Sequence, residues 1–356
     1  MPITSEELFL INVRTYQAAN YLSPLHSIWH KVPVARRSAV FVLLFLGNMG
    51  ELRVILTKRS SKLRSFPGHI SLPGGKADSG LETEWQVSRR EMEEEIGLEA
   101  NNDKLMKHYG FTIDHLNLLP CYLSRTFLAV KPCVGFMNLS GQHEQEQELF
   151  GNLKLNLNPD ESSSIFSCPL KDFLYPSTKS PSKECIKRQF FKIDWGGIPW
   201  NLRSYTFPYA NDNEISWLRE INDTSMSSEE DDEINPSMQE KAKAMPKRDL
   251  STWGRLGTRR DSDTDLKIND VWGLTANILH DLAQIVYCQP TVYKNKTFGE
   301  EELINSIFTY GNLMQSKERS EEEVKLIHSK TINEEFGFNS ILPKDEFLRL
   351  KEIYRH

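Results

Sequence analysis

The stretch SRREMEEEIGL, residues 88–98, sets four carboxylates, Glu91, Glu93, Glu94 and Glu95, within five positions. Only Arg89 and Arg90 stand beside them as counter-charges. Like charges three or four apart on a helix cost about 0.2–0.5 kcal/mol per pair. The run is therefore either a solvated acidic face or a place where something else neutralises the charge. The surrounding sequence predicts a helix over 82–96. Ser79 with Glu82 three residues on has the form of a capping box, and Gly97 suits the left-handed residue that ends a helix.

On a helical wheel, Trp85, Ser88, Met92 and Ile96 fall on one stripe, which is the predicted core face. Glu91 and Glu95, four apart, stack on a neighbouring stripe. Glu94 lies about a sixth of a turn from Glu91 and converges on the same point, whereas Glu93 points elsewhere, to solvent. Three carboxylates meeting at one point repel and raise one another's pKa. A hard divalent cation removes the conflict. Mg²⁺ and Mn²⁺ bind in this way, through carboxylates, water and substrate phosphates.

Upstream, AVFVLLFL (39–46) and ELRVILTK (51–58) read as strands joined by a GNMG hairpin turn. A loop rich in Arg, Lys, Ser and Gly fills 59–80. Further strands are expected within 119–137, 163–170, 189–194 and 203–210, and an apolar helix over 270–287. Residues 222–266 contain SMSSEEDDE, KAKAMPKR and RRDSDTD, blocks of each charge with few large apolar residues. They read as a disordered insertion. Residues 1–37 form an N-terminal extension, either a helix packed on the domain or a loose arm. Residues 38–290 form the main domain, and 291–356 a helical C-terminal extension.

A net charge of −6 speaks against a nucleic-acid partner, which calls for a basic face. The longest apolar run, 39–47, is far short of a membrane span. The five cysteines are odd in number and widely spaced, which fits a reducing compartment and no disulfide framework. No signal-peptide pattern opens the chain, and the closing EIYRH is not an SKL-type tripeptide. The oligomeric state stays open.

From Glu82 through Arg90-Glu91-Met92-Glu93-Glu94-Glu95-Ile96-Gly97-Leu98, the chain resembles the Nudix box, G-x5-E-x7-R-E-U-x-E-E-x-G-U, where U is a bulky apolar residue. Gly75 stands one residue further upstream of Glu82 than the box's first glycine does. The resemblance implies an α/β (α+β) Nudix fold, a mixed sheet sandwiched between helices. It also implies metal-dependent hydrolysis of a nucleoside diphosphate linked to another group. By position, Glu91 and Glu95 are the implied metal ligands. Glu94 is a third ligand or the general base, and Arg90 orients the carboxylates through charge-assisted hydrogen bonds.

Residues 55–75, ILTKRSSKLRSFPGHISLPGG, resemble the signature that precedes the Nudix box in coenzyme A diphosphatases, L-L-T-x-T-[SA]-x3-R-x3-G-x3-F-P-G-G. Thr57, Ser60, Arg64, Gly68, Pro73, Gly74 and Gly75 occupy its fixed positions, while Ile55, Arg59 and Leu72 depart from it. The pattern is nearest to the fungal peroxisomal members, which share a long acidic interruption, so peroxisomal localisation is implied by resemblance, with a cytoplasmic one otherwise. Coenzyme A is strongly anionic. Lys58, Arg59, Lys62 and Arg64 supply basic groups just before the acidic helix, with Arg64 the foremost phosphate-binding candidate. Gly74 and Gly75 lack Cβ and allow backbone to approach a diphosphate. Glu161, in NPDE (158–161), lies where this fold supplies a further carboxylate. His69 and the aromatics of 203–210 either line the substrate pocket or pack.

The resulting expectation is a small-molecule enzyme that splits coenzyme A or its derivatives into 3′,5′-ADP and 4′-phosphopantetheine, with Mg²⁺ or Mn²⁺ as cofactor. Two alternatives use the same helix: hydrolysis of oxidised purine nucleoside triphosphates, and a non-catalytic nucleotide-binding domain. The complete carboxylate set speaks against the second.

Overall fold

The ten residues Arg37–Leu46, RSAVFVLLFL, form the central strand β1. Branched and aromatic side chains favour extended backbone, and successive ones point to opposite faces. Phe41, Leu43 and Phe45 enter one apolar core, and Val42 and Leu44 enter another. Burial on both faces explains why the stretch reads as an unbroken apolar run. The computed structural model describes residues 5–18, 27–63, 65–139, 153, 155–174, 184–219, 221, 257–261, 263–293, 295–329 and 336–355.

The strand β2 (Leu52–Arg59) returns antiparallel to β1 through the GNMG turn, where Gly47 N–H donates to Glu51 O at 2.8 Å and Gly50 has φ 73°. The chain then adds β3 (Ile70–Ser71), β4 (Gly74–Lys76), β5 (Thr112–Leu118), β6 (Tyr122–Leu123), β7 (Ala129–Asn138) and β8 (Ser162–Pro169). Its backbone order is β3-β2-β1-β7-β5, with β4 on β1, β6 on β7 and β8 on β2. Among the described residues only the β1–β7 pairing is parallel, so the sheet is mixed, as expected. A second, antiparallel sheet contains β9 (Lys187–Trp195), β10 (Ile198–Pro208), β11 (Thr258–Arg260) and β12 (Lys267–Trp272) in the order β11-β12-β10-β9.

The helices are α1 (Ser5–Thr15), α2 (Ile28–Lys31), α3 (Glu84–Ile96), α4 (Asn102–Tyr109), α5 (Ser216–Arg219), α6 (Gly273–Tyr287), α7 (Pro290–Tyr293), α8 (Glu301–Thr309), α9 (Glu321–His328) and α10 (Lys344–Ile353). Val87, Met92 and Ile96 of α3 share a core with Phe41 and Phe45. Ile278, Leu279 and Leu282 of α6 share the other with Val42, Leu44, Val54 and Leu56. The first sheet is thus sandwiched between α3 and α6, with one apolar face of β1 spent on each.

Four details depart from the sequence reading. The predicted helix 270–287 begins only at Gly273, because Asp270–Trp272 pair with Ser204–Thr206 of β10. Gly273, at φ 63°, turns the chain from strand into helix. Residues 257–261 and 263–266, placed in the disordered insertion 222–266, are ordered, with β11 paired to β12; residues 222–256 lie outside the described residues. The helix α4 and strand β5 were not anticipated, although Asn101 caps α4 by accepting from Asp103 N–H and Lys104 N–H. The capping box of α3 is Thr83 with Gln86, not Ser79 with Glu82.

Both extensions pack into the body of the molecule. Asn12 of α1 donates to Val286 O of α6 at 3.0 Å. The C-terminal extension is helical, and Leu303, Ile304, Leu326, Phe338 and Leu350 share the core of Phe41. Arg36, fully enclosed just before β1, pairs with Glu323 of α9 at 2.6 Å and donates to the carbonyls of Ser316, Glu318 and Phe127. Among the described residues no helix is long and apolar enough to cross a membrane.

Candidate active site

The helix α3 puts Met92, Ile96 and Ser88 into the core, with Trp85 partly buried against Phe41 at 5.2 Å between ring centroids. The acids divide unevenly, with Glu94 less enclosed than the wheel reading places it. Glu93 is exposed and closes the turn beyond the helix by accepting from Ala100 N–H. Glu95 is 6% exposed, Glu91 is partly buried, and the Glu94 side chain is 49% exposed. Gly97 takes φ 72°, and its N–H donates to Glu93 O at 2.9 Å.

The neighbouring turn comes close because it is glycine. Gly74 has φ 155°, and a Cβ there would lie 2.4 Å from Ala39 O of β1. A Cβ on Gly75 would lie 2.3 Å from the Glu91 carboxyl group. Gly74 N–H is 3.5 Å from Glu95 Oε1. In this structure these glycines admit the approach of two carboxylates to the backbone.

Two further amides fasten the NPDE segment to the end of the helix. Asn158 N–H donates to Glu95 O and Asn156 N–H to Ile96 O, each at 3.0 Å, satisfying carbonyls that a helix end leaves open. On the other side, Ser60 donates its Oγ–H to Pro159 O and its N–H to Glu161 O, each at 2.9 Å. Glu161 is thereby brought beside Glu91 and Glu95 and raises the pKa of both. One oxygen of Glu161 and one of Glu95 are buried with no hydrogen-bond partner.

The electrostatics follow from this packing. Burial pushes the Glu95 carboxyl up to about 8, against the pull of Arg59 and of Gly74 N–H and with the help of Glu91 and Glu161. Burial pushes Glu91 up to about 6; Arg90 opposes that rise, and Glu94 and Glu161 add to it.

Arg90 is the hub of the exposed side. It reaches Glu82 at 2.9 Å, Glu91 at 3.0 Å, Glu94 at 3.3 Å and Lys76 O at 2.9 Å, with Asp78 at 3.6 Å. Glu82, freed from the capping role, accepts from Asp78 N–H and Ser79 N–H as well as from Arg90. Among the described residues Arg89 forms no ion pair with the acids, and Glu93 is the one whose charge it feels. Arg89 is buried against the rings of Phe41 and Trp85 and donates to the carbonyls of Glu99 and Ala100.

The basic loop is less uniform than its sequence. Lys58 is buried within β2, and Lys62 forms an exposed pair with Asp160 at 2.8 Å. Arg59 lies close enough to lower the pKa of Glu95, while Arg64 lies outside the described residues. His69 is buried between Phe66 and Trp272, with ring centroids at 5.3 and 5.5 Å. Tyr205 and Phe207 of the 203–210 stretch are core residues. Sequence reasoning missed Trp272, hidden in the supposed helix, and the amides of Asn156 and Asn158. The turn chemistry of Asn-Pro-Asp was the available signal for the latter.

Among the described residues no three His, Cys, Asp or Glu side chains yet surround a common point closely enough to hold a metal. Arg90 occupies Glu91 and Glu94 instead. The donor chemistry fits a divalent cation: Glu95 and Glu161 each keep a buried carboxylate oxygen without a partner, and Glu91 lies near both.

A model of the NUDIX domain matches residues 35–189. The chain is also 38% identical over 331 residues to peroxisomal coenzyme A diphosphatase 1 of Saccharomyces cerevisiae, covering 89% of this chain and 87% of that protein. This chain belongs to the Nudix family. Nudix hydrolases use divalent metal ions. The chain is 37% identical to Nudix hydrolase 15 of Arabidopsis thaliana, over 51% of this chain and 54% of the relative. It is 30% identical to a peroxisomal coenzyme A diphosphatase of Mus musculus, over 37% of this chain and 46% of the relative. The matched Nudix segment holds the whole first sheet and α3. It stops short of β10, β12 and α6.

Proposed function

We propose that this Nudix enzyme hydrolyses the diphosphate of coenzyme A and its derivatives to 3′,5′-ADP and 4′-phosphopantetheine or its acylated or oxidised form. The observation that carries the reading is the likeness to a yeast protein named for that activity, which runs through 89% of the chain and far beyond the Nudix segment. The complete acidic helix and the 55–75 signature support it.

Glu91 and Glu95 would hold Mg²⁺ or Mn²⁺, with Glu94 as a third ligand. When bound, the ion offsets the carboxylate and phosphate charge and supplies an activated water. Glu161 accepts the proton of the attacking water, a role supported by its partnerless buried oxygen beside Glu91 and Glu95. Arg90 keeps Glu91 and Glu82 in register through its planar fork. Arg59, Arg64 and Lys58 bind and orient phosphate, and Gly74 and Gly75 let the carboxylates stand against the backbone. The substrate is a small molecule, with neither nucleic acid nor membrane as partner. A peroxisomal location is the reading that the yeast and mouse relatives support.

The test gives purified protein Mg²⁺ or Mn²⁺ with coenzyme A, its disulfide, a short acyl-CoA and 8-oxo-dGTP in parallel. Release of phosphopantetheine or its derivatives is expected. Turnover of 8-oxo-dGTP alone would overturn the assignment.

A further inference from the structure

A cavity of about 80 Å³ opens where β10, α6, the turn at 296–300 and the end of α10 meet. Among the described residues, none of α3 or of the 55–76 segment lines it. Two cations do, Arg203 and Lys296. Among the described residues neither forms an ion pair within 4.0 Å. Arg203 donates to Asn277 Oδ1 and Lys296 to Gln284 Oε1, each at 2.9 Å. Their hydrogen bonds thus go to neutral amide oxygens, and Arg203 also lies over the Phe190 ring at 5.3 Å.

The two carboxylates in the same wall are engaged elsewhere. Asp281 accepts the Tyr122 hydroxyl at 2.8 Å and Gly299 N–H, and Glu300 accepts Leu123 N–H at 3.0 Å. Burial pushes Asp281 up to about 6 and Glu300 up to about 8, so together they do not cancel both cations near neutral pH. His280, which adjoins Gln284, adds no charge: burial and the same two cations hold it down at about 3. Asp281 feels both cations and Glu300 feels Arg203, yet the wall keeps an excess of positive charge, and a concave site of that kind attracts an anion.

We propose that Arg203 and Lys296 form a second anion site, separate from the acidic helix, that takes a phosphate group. The cavity is too small for a nucleotide. Lys296, however, also borders a recess of about 400 Å³ lined by Asn12, Tyr16 and Tyr293. The phosphate of a phosphomonoester can sit on Arg203 and Lys296 while its organic part lies in that recess, and free phosphate fills the smaller part alone.

The experiment uses the full chain without divalent ions. Inorganic phosphate and adenosine 5′-monophosphate are titrated separately at constant ionic strength, with chloride as control. Melting temperature and tryptophan fluorescence are followed, since Trp200 lines the cavity. A saturable response is expected with both probes. Lys296→Gln and Arg203→Met should each raise the half-saturating concentration at least tenfold, and Glu95→Gln should leave it unchanged. Tighter binding of the nucleotide identifies a phosphomonoester as the ligand, and equal binding identifies free phosphate. If Arg203→Met fails to fold, Lys296→Gln decides alone, because Lys296 is only partly buried. No response beyond chloride, or an unchanged response in Lys296→Gln, overturns the proposal.

Discussion

The carboxyl group of Glu91 occupies the space that a Cβ on Gly75 would need, 2.3 Å away. A backbone turn and a helix side chain exclude any third group between them. Gly75→Ala must push the turn off α3 or turn Glu91 out of the site. Stability should fall by about 1–3 kcal/mol, as for other overpacked positions. Turnover should fall by roughly 10²-fold, the usual effect of an ångström of misplacement. Thermal melts and steady-state rates on the same sample check both.

Arg90 reaches two carboxylates and a carbonyl with separate nitrogens. Lysine has one nitrogen and cannot hold all three. Arg90→Lys should lower activity or metal affinity about 10–100-fold, as loss of an orienting partner does. The Mn²⁺ concentration giving half-maximal rate, measured for both proteins, tests this.

Glu161 has an oxygen that is buried and partnerless. If it takes a proton from water, Glu161→Gln should reduce kcat by about 10²–10⁴-fold and leave KM nearly unchanged. A rise in KM with kcat intact would assign the residue to substrate binding instead.

The buried Arg36–Glu323 pair ties the approach to β1 to α9. Removing one partner strands a charge in the core. Glu323→Ala should cost about 3–5 kcal/mol by urea denaturation, and the Arg36→Met/Glu323→Leu double variant markedly less than that.

Asp281 has its pKa raised from 3.8 to about 6, chiefly by burial. The folded protein therefore binds a proton that the unfolded chain has released. This contribution is fully present below pH 3.8 and is lost as pH rises through 6. Asp281→Asn removes the titration, so its stability relative to the parent should rise between pH 4.5 and 7.5 by on the order of 1–2 kcal/mol. Melts at matched pH values would show a constant difference if the group did not titrate in this range.

The acidic helix was legible because its information is local. Apolar spacing gives the buried stripe, and i, i+4 spacing separates Glu91 and Glu95 from Glu93. The strands β1 and β2 were legible for the same reason. What failed depended on partners distant in the chain. Trp272 reads as helical until β10 is seen to claim Asp270–Trp272 as a strand. Thr258–Arg260 look like charged linker until β12 pairs with them. Arg89 and Arg90 are indistinguishable by type. Burial against Phe41 and Trp85 draws the first out of ion pairing with the acids it seems to neutralise. Arg64, the foremost phosphate-binding candidate, lies outside the described residues.

The strand β1 carries apolar side chains on both faces, and the helix that covers its second face begins at residue 273, well beyond the segment that matches the family. A fragment cut at residues 35–189 would keep its acidic helix yet present Val42, Leu44, Val54 and Leu56 to water. The recognisable motif is thus not a portable module in this molecule. The motif lies in the first half of the chain, and part of the apolar cover of that half comes from the second.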